Sequence, residues 1–329
     1  MRFLLDDEQR EFARSLHALL TAADTSSAVR GWAAGDHGPG LALWRRLADA
    51  GVFALAVPEA YGGVGPLPVE TAVAYLELGR HGVPGPVVES VAAGVLLAGV
   101  GGAVAEEWLP RIASGTAVVS LVLEGYGPYA LDADVADAVF TVAGDELRLA
   151  PGPGAPRVSA DPARRLFRPE AGGEAAAAGP GVRGAARAAG DWAAFATAAQ
   201  ALGCGEELLR ATVAYGRQRT QFGAPIGSFQ AVKHRLADTL LGLEFARPLL
   251  YGAAVELAEG SPGAGAAVAA AKVTAGEAGY AAARTALQLH GAVGYTQELD
   301  LAWWLRRARP LRDAWGTPAA CRARVLGLP

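Results

Sequence analysis

Apolar and polar positions alternate along this chain with two periods, helical at both ends and strand-like in the middle. Leu4, Leu5, Phe12, Leu16, Leu19 and Leu20 recur at the spacing of one helix face, and Asp6 or Asp7 stands where a cap would start that helix. Trp44–Ala50 reads as a short helix closed by Gly51, and the apolar stretch Val52–Val57 ends at Pro58. The run Tyr61-Gly62-Gly63-Val64-Gly65-Pro66 predicts a loop. Helical patterns follow at about Val69–Arg80, Val88–Leu97 and Ala105–Ala113, with a break at His81–Pro86. Residues 1–115 therefore read as an N-terminal helical domain.

The period shortens after that. Thr116–Leu123 is apolar and β-branched, while Ala138–Val142 and Glu146–Leu149 flank Ala143-Gly144-Asp145 as a hairpin would. Pro151-Gly152-Pro153-Gly154, Ala171-Gly172-Gly173 and an alanine run then interrupt the strand signal. Residues 116–186 read as a small, loop-rich β domain, with its second half expected to be partly disordered.

Helical spacing returns for residues 187–329. Asp191–Thr220 is one long amphipathic stretch, with Asp191 read as its cap, and Phe222–Ile226 is a turn. Ser228 is placed to cap a second helix running to Leu257. Gly260-Ser261-Pro262-Gly263 is a loop, Ala266–Leu289 a third helix ending at His290-Gly291, and Glu298–Arg309 a fourth. Long helices with short links predict a four-helix bundle. The expected fold class is mostly α with a small β domain.

Composition narrows the function classes. The chain has 329 residues, enough for two or three domains, and a net charge of −4 that argues against a dominant electrostatic affinity for nucleic acid. Charged residues at 19% and hydrophobic residues at 52% exclude bulk disorder. Mean hydropathy is +0.22, much of it from alanine, and no apolar run predicts a membrane span. Met1-Arg2-Phe3-Leu4-Leu5-Asp6-Asp7-Glu8 reaches acid before a secretory core forms, so a cytoplasmic location is expected. Cys204 and Cys321 alone make neither a disulfide framework nor a zinc site, and Cys204 lies on an apolar helix face. Lysine occurs only at Lys233 and Lys272 while arginine, alanine and glycine abound, the bias of a GC-rich genome. A lone arginine therefore carries little functional weight.

The segment Arg217-Gln218-Arg219-Thr220-Gln221-Phe222-Gly223-Ala224-Pro225-Ile226-Gly227-Ser228-Phe229-Gln230 is the most informative. Its own chemistry admits two readings. Arg219 at a helix end, with Gly223 and Gly227 allowing close backbone approach, suits an anion; an ordinary link between two helices suits it as well. The full string resembles the arginine–x–threonine/glutamine–phenylalanine–glycine signature of the acyl-CoA dehydrogenase family. Gln288-Leu289-His290-Gly291-Ala292-Val293-Gly294-Tyr295 is similar to that family's glutamine–x–x–glycine–glycine–x–glycine–tyrosine turn. Gly51–Val57 with Pro58-Glu59-Ala60-Tyr61-Gly62-Gly63, and Gly316-Thr317, resemble two further family segments, in the same order.

The resemblance implies N-terminal helices, a small middle β domain, a C-terminal four-helix bundle, and FAD held between subunits. It implies oxidation of an acyl-CoA thioester: a glutamate takes the α-proton, the β-hydrogen leaves as hydride to the flavin, and the electrons pass to an electron-transfer flavoprotein. Arg219 falls on the arginine that reaches a neighbouring subunit's FAD pyrophosphate, and a guanidinium can offer it two parallel hydrogen bonds. Phe222 and Gln230 fall on other cofactor contacts of that arm. Gln288 and Gly291 match the turn touching the neighbour's adenosine half, and Thr317 falls on a cofactor-binding position near the C-terminus.

The departures are as informative. The family's usual base stands in glutamate–glycine–threonine, and here the triplet is Trp315-Gly316-Thr317. The alternative base position, on the first bundle helix, lands on Ala193. Neither residue can take a proton. Asp191 and Asp313 each lie two residues from one of these positions, about 200° round a helix. Ala292 replaces the turn's second glycine, Ala319 stands where a glutamine often supports the chain's own flavin, and Trp108 and Trp192 bracket a middle domain that holds no tryptophan. Glu124-Gly125-Tyr126-Gly127-Pro128 is a remnant of the flavin-cradling loop, so the middle β domain reads as reduced. This pattern resembles the shorter, degenerate subunit of actinobacterial heteromeric acyl-CoA dehydrogenases of steroid side-chain degradation. There a homologous catalytic subunit supplies base and flavin cradle. Two alternatives stay open: a self-sufficient flavoenzyme with a relocated base or different flavin chemistry, and a non-enzymatic binding or scaffold protein. His290, Trp303, Trp304, Arg306 and Arg307 carry the simpler readings of helix-end structure, bundle packing and a solvated charged face.

Overall fold

The computed structural model describes residues 4–296 and 299–327, without the side chain of Tyr295. Met1–Phe3, and Glu298 at the expected start of the last bundle helix, lie outside the described residues. Six helices open the chain: α1 (Asp7–Thr21), α2 (Thr25–Ala34), α3 (Gly38–Asp49), α4 (Pro68–Arg80), α5 (Val87–Val100) and α6 (Gly102–Ala113). Asp6 starts α1 through a reciprocal capping box: its carboxylate accepts the Gln9 N–H at 2.8 Å and the Gln9 side chain accepts the Asp6 N–H at 3.1 Å. Helix α2 was absent from the periodicity because it opens on Thr25-Ser26-Ser27, weak helix formers; Asp24, at φ +44°, caps it instead.

The middle of the chain forms two small sheets. Strands β1 (Val119–Leu123), β2 (Ala130–Leu131), β3 (Ala138–Ala143), β4 (Glu146–Leu149), β5 (Ala155–Arg157), β6 (Leu166–Arg168) and β7 (Glu174–Ala178) arrange as β1-β3-β4-β7 and β2-β6-β5. The β3–β4 hairpin turns at Gly144, φ +60°, as the sequence predicts. The half expected to be partly disordered supplies β5, β6 and β7.

Four helices and a short hairpin follow: α7 (Pro180–Gln218), β8 (Thr220–Gln221), β9 (Ala224–Pro225), α8 (Gln230–Ala258), α9 (Ala264–His290) and α10 (Leu301–Asp313), then the terminal α11 (Pro318–Val325). The fold is thus mostly helical, with a small β region between helical N- and C-terminal parts. Helix α7 begins well before Asp191, so Asp191 is an interior residue paired with Arg324 rather than a cap. Ser228 is not a cap either. Its hydroxyl donates to the Pro225 carbonyl at 2.7 Å, and Phe229 occupies the cap position. No described helix is long and apolar enough to cross a membrane.

Small residues set the distances between the central helices. A Cβ on Gly79 of α4 would lie 2.1 Å from the Gln200 carbonyl oxygen of α7, and one on Gly203 of α7 would lie 1.9 Å from that of Leu76. The alanine and glycine richness, read first as genomic bias, here lets α4 and α7 pack backbone to backbone. A buried ion pair joins the β region to both helical parts. Arg307 Nε donates to Asp161 Oδ2 at 2.7 Å, and its Nη1 donates to the carbonyls of Gly82 and Val83 at 2.6 and 2.9 Å. Arg307 is therefore part of the core and not of a solvated face.

The glycine contact makes a prediction whose sign is informative. Helix propensity alone has Gly203→Ala stabilise by ~1 kcal/mol. The contact with Leu76 predicts net destabilisation instead, because overpacking costs ~1–3 kcal/mol. Urea denaturation of the variant decides between them; a gain in stability contradicts the close packing.

Candidate functional site

Two groups of residues singled out from the sequence lie at different places. The first is the link between α7 and α8. Helix α7 ends at Gln218, and β8 and β9 pair around Phe222-Gly223. Both turn residues have positive φ, +53° and +78°, as a two-residue hairpin of this twist requires. A bulky aromatic in that region is unusual, and its ring is almost bare: Phe222 is 95% exposed and meets Phe229 edge-on with centroids 6.3 Å apart. The root of this arm is firm. Ile226 N–H donates to the Arg219 carbonyl at 2.8 Å, and a Cβ on Gly227 would lie 2.9 Å from the Gly216 oxygen. Arg219 and Gln230 are exposed, and the Arg219 guanidinium makes no ion pair among the described residues.

The end of α9 meets the root of that arm. Tyr215 stacks on His290 with ring centroids 4.2 Å apart, and His290 Nδ1 lies 2.8 Å from the Ala286 carbonyl. Burial lowers the His290 pKa, and the ring acts as packing, as the simpler reading expects. Gly291, at φ +63°, ends the helix and is exposed. Gln288 borders a groove of about 450 Å³ between α8 and α9 that also carries Arg235 and Arg284. Arg219, Phe222, Gln230, Gln288 and Gly291 are thus brought to one end of the bundle, outward-facing, with arginines that suit an anionic ligand.

The second group surrounds Trp315. Its indole is buried at φ +53°, donates Nε1–H to Glu89 Oε1 at 3.0 Å, and leans on Tyr126 with centroids 5.4 Å apart. Tyr126 itself packs on Gly190 of α7, where a Cβ would lie 2.6 Å from its hydroxyl. Glu89, on α5, is 3% exposed, and its Oε2 has no hydrogen-bond partner. Lys272, fully buried on α9, donates to the carbonyls of Leu311, Arg312 and Gly316 at 3.0, 2.9 and 3.2 Å. It thereby ties the end of α10 to the turn that carries Trp315; burial lowers its pKa to about 8. Thr317 caps α11, its hydroxyl accepting the Ala320 N–H at 3.3 Å. The cavity beside Trp315 is about 170 Å³, against the ~300–1,000 Å³ of ligand pockets.

The other candidates for a base are spent. Ala193 is fully buried inside α7. Asp191 pairs with Arg324, and Asp313 with Arg309 and Arg312. Cys204 is buried, 3.6 Å from the Trp304 carbonyl, with its thiol pushed up to about 12 by burial. Sequence reasoning missed Glu89 and Lys272. Both carried a signal: Glu89 is the single charge in the apolar run Val87–Val100, and Lys272 is one of two lysines in the chain.

Comparison with known proteins gives a consistent result. The profile of the acyl-CoA dehydrogenase N-terminal domain matches residues 6–116, and that of the acyl-CoA dehydrogenase C-terminal domain matches residues 181–325. The acyl-CoA dehydrogenase IpdE2 of Mycobacterium tuberculosis is 36% identical over 305 residues, which cover 92% of this chain and 91% of that protein. Among solved structures, a Tcur3481-Tcur3483 steroid ACAD variant aligns with a TM-score of 0.82 at 26% identity, over 98% of this chain and 97% of that one. The ChsE4-ChsE5 complex from Mycobacterium tuberculosis aligns with a TM-score of 0.80 at 25% identity, over 99% and 98%.

The indole–carboxylate contact is testable. Trp315→Phe removes the donor and leaves the Glu89 carboxylate buried without its partner, a cost of ~1–3 kcal/mol in chemical denaturation. Adding Glu89→Leu to Trp315→Phe recovers part of that loss. Strict additivity of the two substitutions would contradict the contact.

Proposed function

The chain belongs to the acyl-CoA dehydrogenase family of flavoprotein oxidoreductases, and from that premise we propose that it works as the FAD-arm-donating, base-lacking subunit of a heteromer. Its partner in this reading is a homologous catalytic subunit that supplies the base and the cradle of the flavin ring. The complex removes hydrogen from Cα and Cβ of an acyl-CoA thioester and passes the electrons to an electron-transfer flavoprotein. The observation that carries the reading is the contrast between the arm after α7 and the two base positions, Ala193 within α7 and Trp315 after α10. The arm residues are exposed and ready to reach another chain, while both base positions are buried and carry residues that cannot take a proton.

The fit to FAD follows the same division. Arg219, with Phe222 and Gln230 on the arm and Gln288 and Gly291 at the turn, would hold the pyrophosphate and adenosine half of a flavin seated on the partner. FAD, when bound, accepts the hydride that leaves Cβ. Thr317 is engaged as a helix cap, and the cavity at Trp315 is smaller than a ligand pocket, which weighs against a flavin ring beside Trp315; the larger open groove of about 710 Å³ next to it, lined by Glu124, Tyr126, Arg183 and Arg187, lies outside the Trp315 site. Glu89 is an acid beside the usual base position, but Trp315 holds one of its oxygens and the cavity there does not admit a thioester. That weighs against a relocated base.

An assembly also accounts for the surface of α8. Leu240, Leu241, Phe245 and Leu249 are exposed there, Phe245 by 71%, close in sequence to the exposed Phe222 and Phe229 of the arm. Exposed large apolar side chains grouped on one helix suit an interaction site. The similarity to a steroid ACAD complex supports a steroid-derived acyl group.

Two outcomes are expected. In a complex co-expressed with the longer homologous subunit, Arg219→Ala weakens FAD binding about ten- to a hundredfold, the worth of one charge-assisted contact; unchanged affinity would contradict the arm's role. In the isolated chain, Trp315→Glu creates no acyl-CoA-dependent dye reduction, since a base alone does not assemble the flavin face and carbonyl donors that the reaction needs. Turnover above the parent protein would contradict the reading of a closed site.

A further inference from the structure

At the N-terminal face, remote in sequence from the arm and from Trp315, three side chains converge on one point. His17 projects from α1, and Glu77 in the last turn of α4 and His81 at its C-cap lie four residues apart on the same side. His17 Nδ1 is 3.0 Å from Glu77 Oε2, His81 Nε2 is 3.1 Å from His17 Nδ1, and His81 Nε2 is 3.8 Å from Glu77 Oε2. Each is an atom that can offer a lone pair, and among the described residues their only hydrogen-bond partners are one another. Ligands bound to zinc at ~2.0–2.2 Å in a tetrahedron stand about 3.3 Å apart, so this triangle has the dimensions of one tetrahedral face.

We propose that His17, Glu77 and His81 form a zinc-binding site that clips α1 to α4. Two imidazoles and a carboxylate are a donor set that suits zinc. Glu77 is 4% exposed, and its second oxygen is engaged by Arg80, which orients the carboxylate and leaves Oε2 directed at the two rings. Arg80 is in turn shared with Glu206, so its charge is partly offset at the site. A solvent-open groove of about 500 Å³, lined by His17, His81, Asp24 and Thr25 among others, gives an entry path and room for water as the fourth ligand.

The test is zinc titration of the tag-free, chelator-treated full chain, read by calorimetry and by thermal unfolding. The expected result is one zinc per chain, with a higher Tm that a chelator reverses. His17→Ala and His81→Gln each weaken binding more than about a hundredfold and abolish the Tm shift, while His234→Ala, at an exposed histidine of α8, leaves both unchanged. His17 is half-exposed, so its variant folds; circular dichroism of each variant verifies this. No binding at millimolar zinc, or binding that survives both site variants, would overturn the proposal and leave the three residues as a hydrogen-bonded cluster only.

Discussion

The length of α7 constrains everything that this molecule can do with a cofactor. The helix runs without interruption from Pro180 to Gln218, and Ala193 and Arg219 lie about 39 Å apart along it at ~1.5 Å per residue. Its central part is held on two sides by backbone-close packing: Gly203 meets α4, and Gly279 of α9 approaches the Ala201 carbonyl so that a Cβ would lie 2.5 Å away. A helix clamped in this way cannot bend its arm back to its own Trp315 region. In the proposed function, a centre that draws on both kinds of position takes them from two chains.

The Trp315 region shows how a small cavity is kept closed. Trp315 adopts a left-handed backbone conformation, unfavourable for a bulky side chain. Lys272 holds that turn through three carbonyls, while Glu89 and Tyr126 hold the indole. Burying an ammonium and a half-satisfied carboxylate is costly. The chain meets that cost with hydrogen bonds that converge on the turn carrying Trp315.

The sequence made most of this legible where local rules decide. The helices α1, α4, α5, α6, α8 and α9 follow from apolar spacing, and the β3–β4 hairpin from Gly144. The turn at the arm's tip was legible from Gly223 and Pro225, while a cofactor role for the arm came only from the family resemblance. Other features were decided by tertiary contact and stayed hidden. Arg307 looked like surface charge because its partner Asp161 lies far away in sequence. Asp191 looked like a cap because the preceding Pro180–Gly190 segment, rich in glycine and alanine, has weak amphipathic character, although α7 packs it as helix. Glu89 and Lys272 gained meaning only when the fold set them beside Trp315 and the end of α10.

The most direct test of the account is the flavin content of this chain purified in two ways, alone and co-expressed with a longer homologue that carries the missing glutamate. Absorbance at flavin wavelengths, together with the mass of the native assembly, reads the result. The account predicts a colourless chain alone and a yellow complex that contains both chains. Stoichiometric FAD on the chain alone would contradict it.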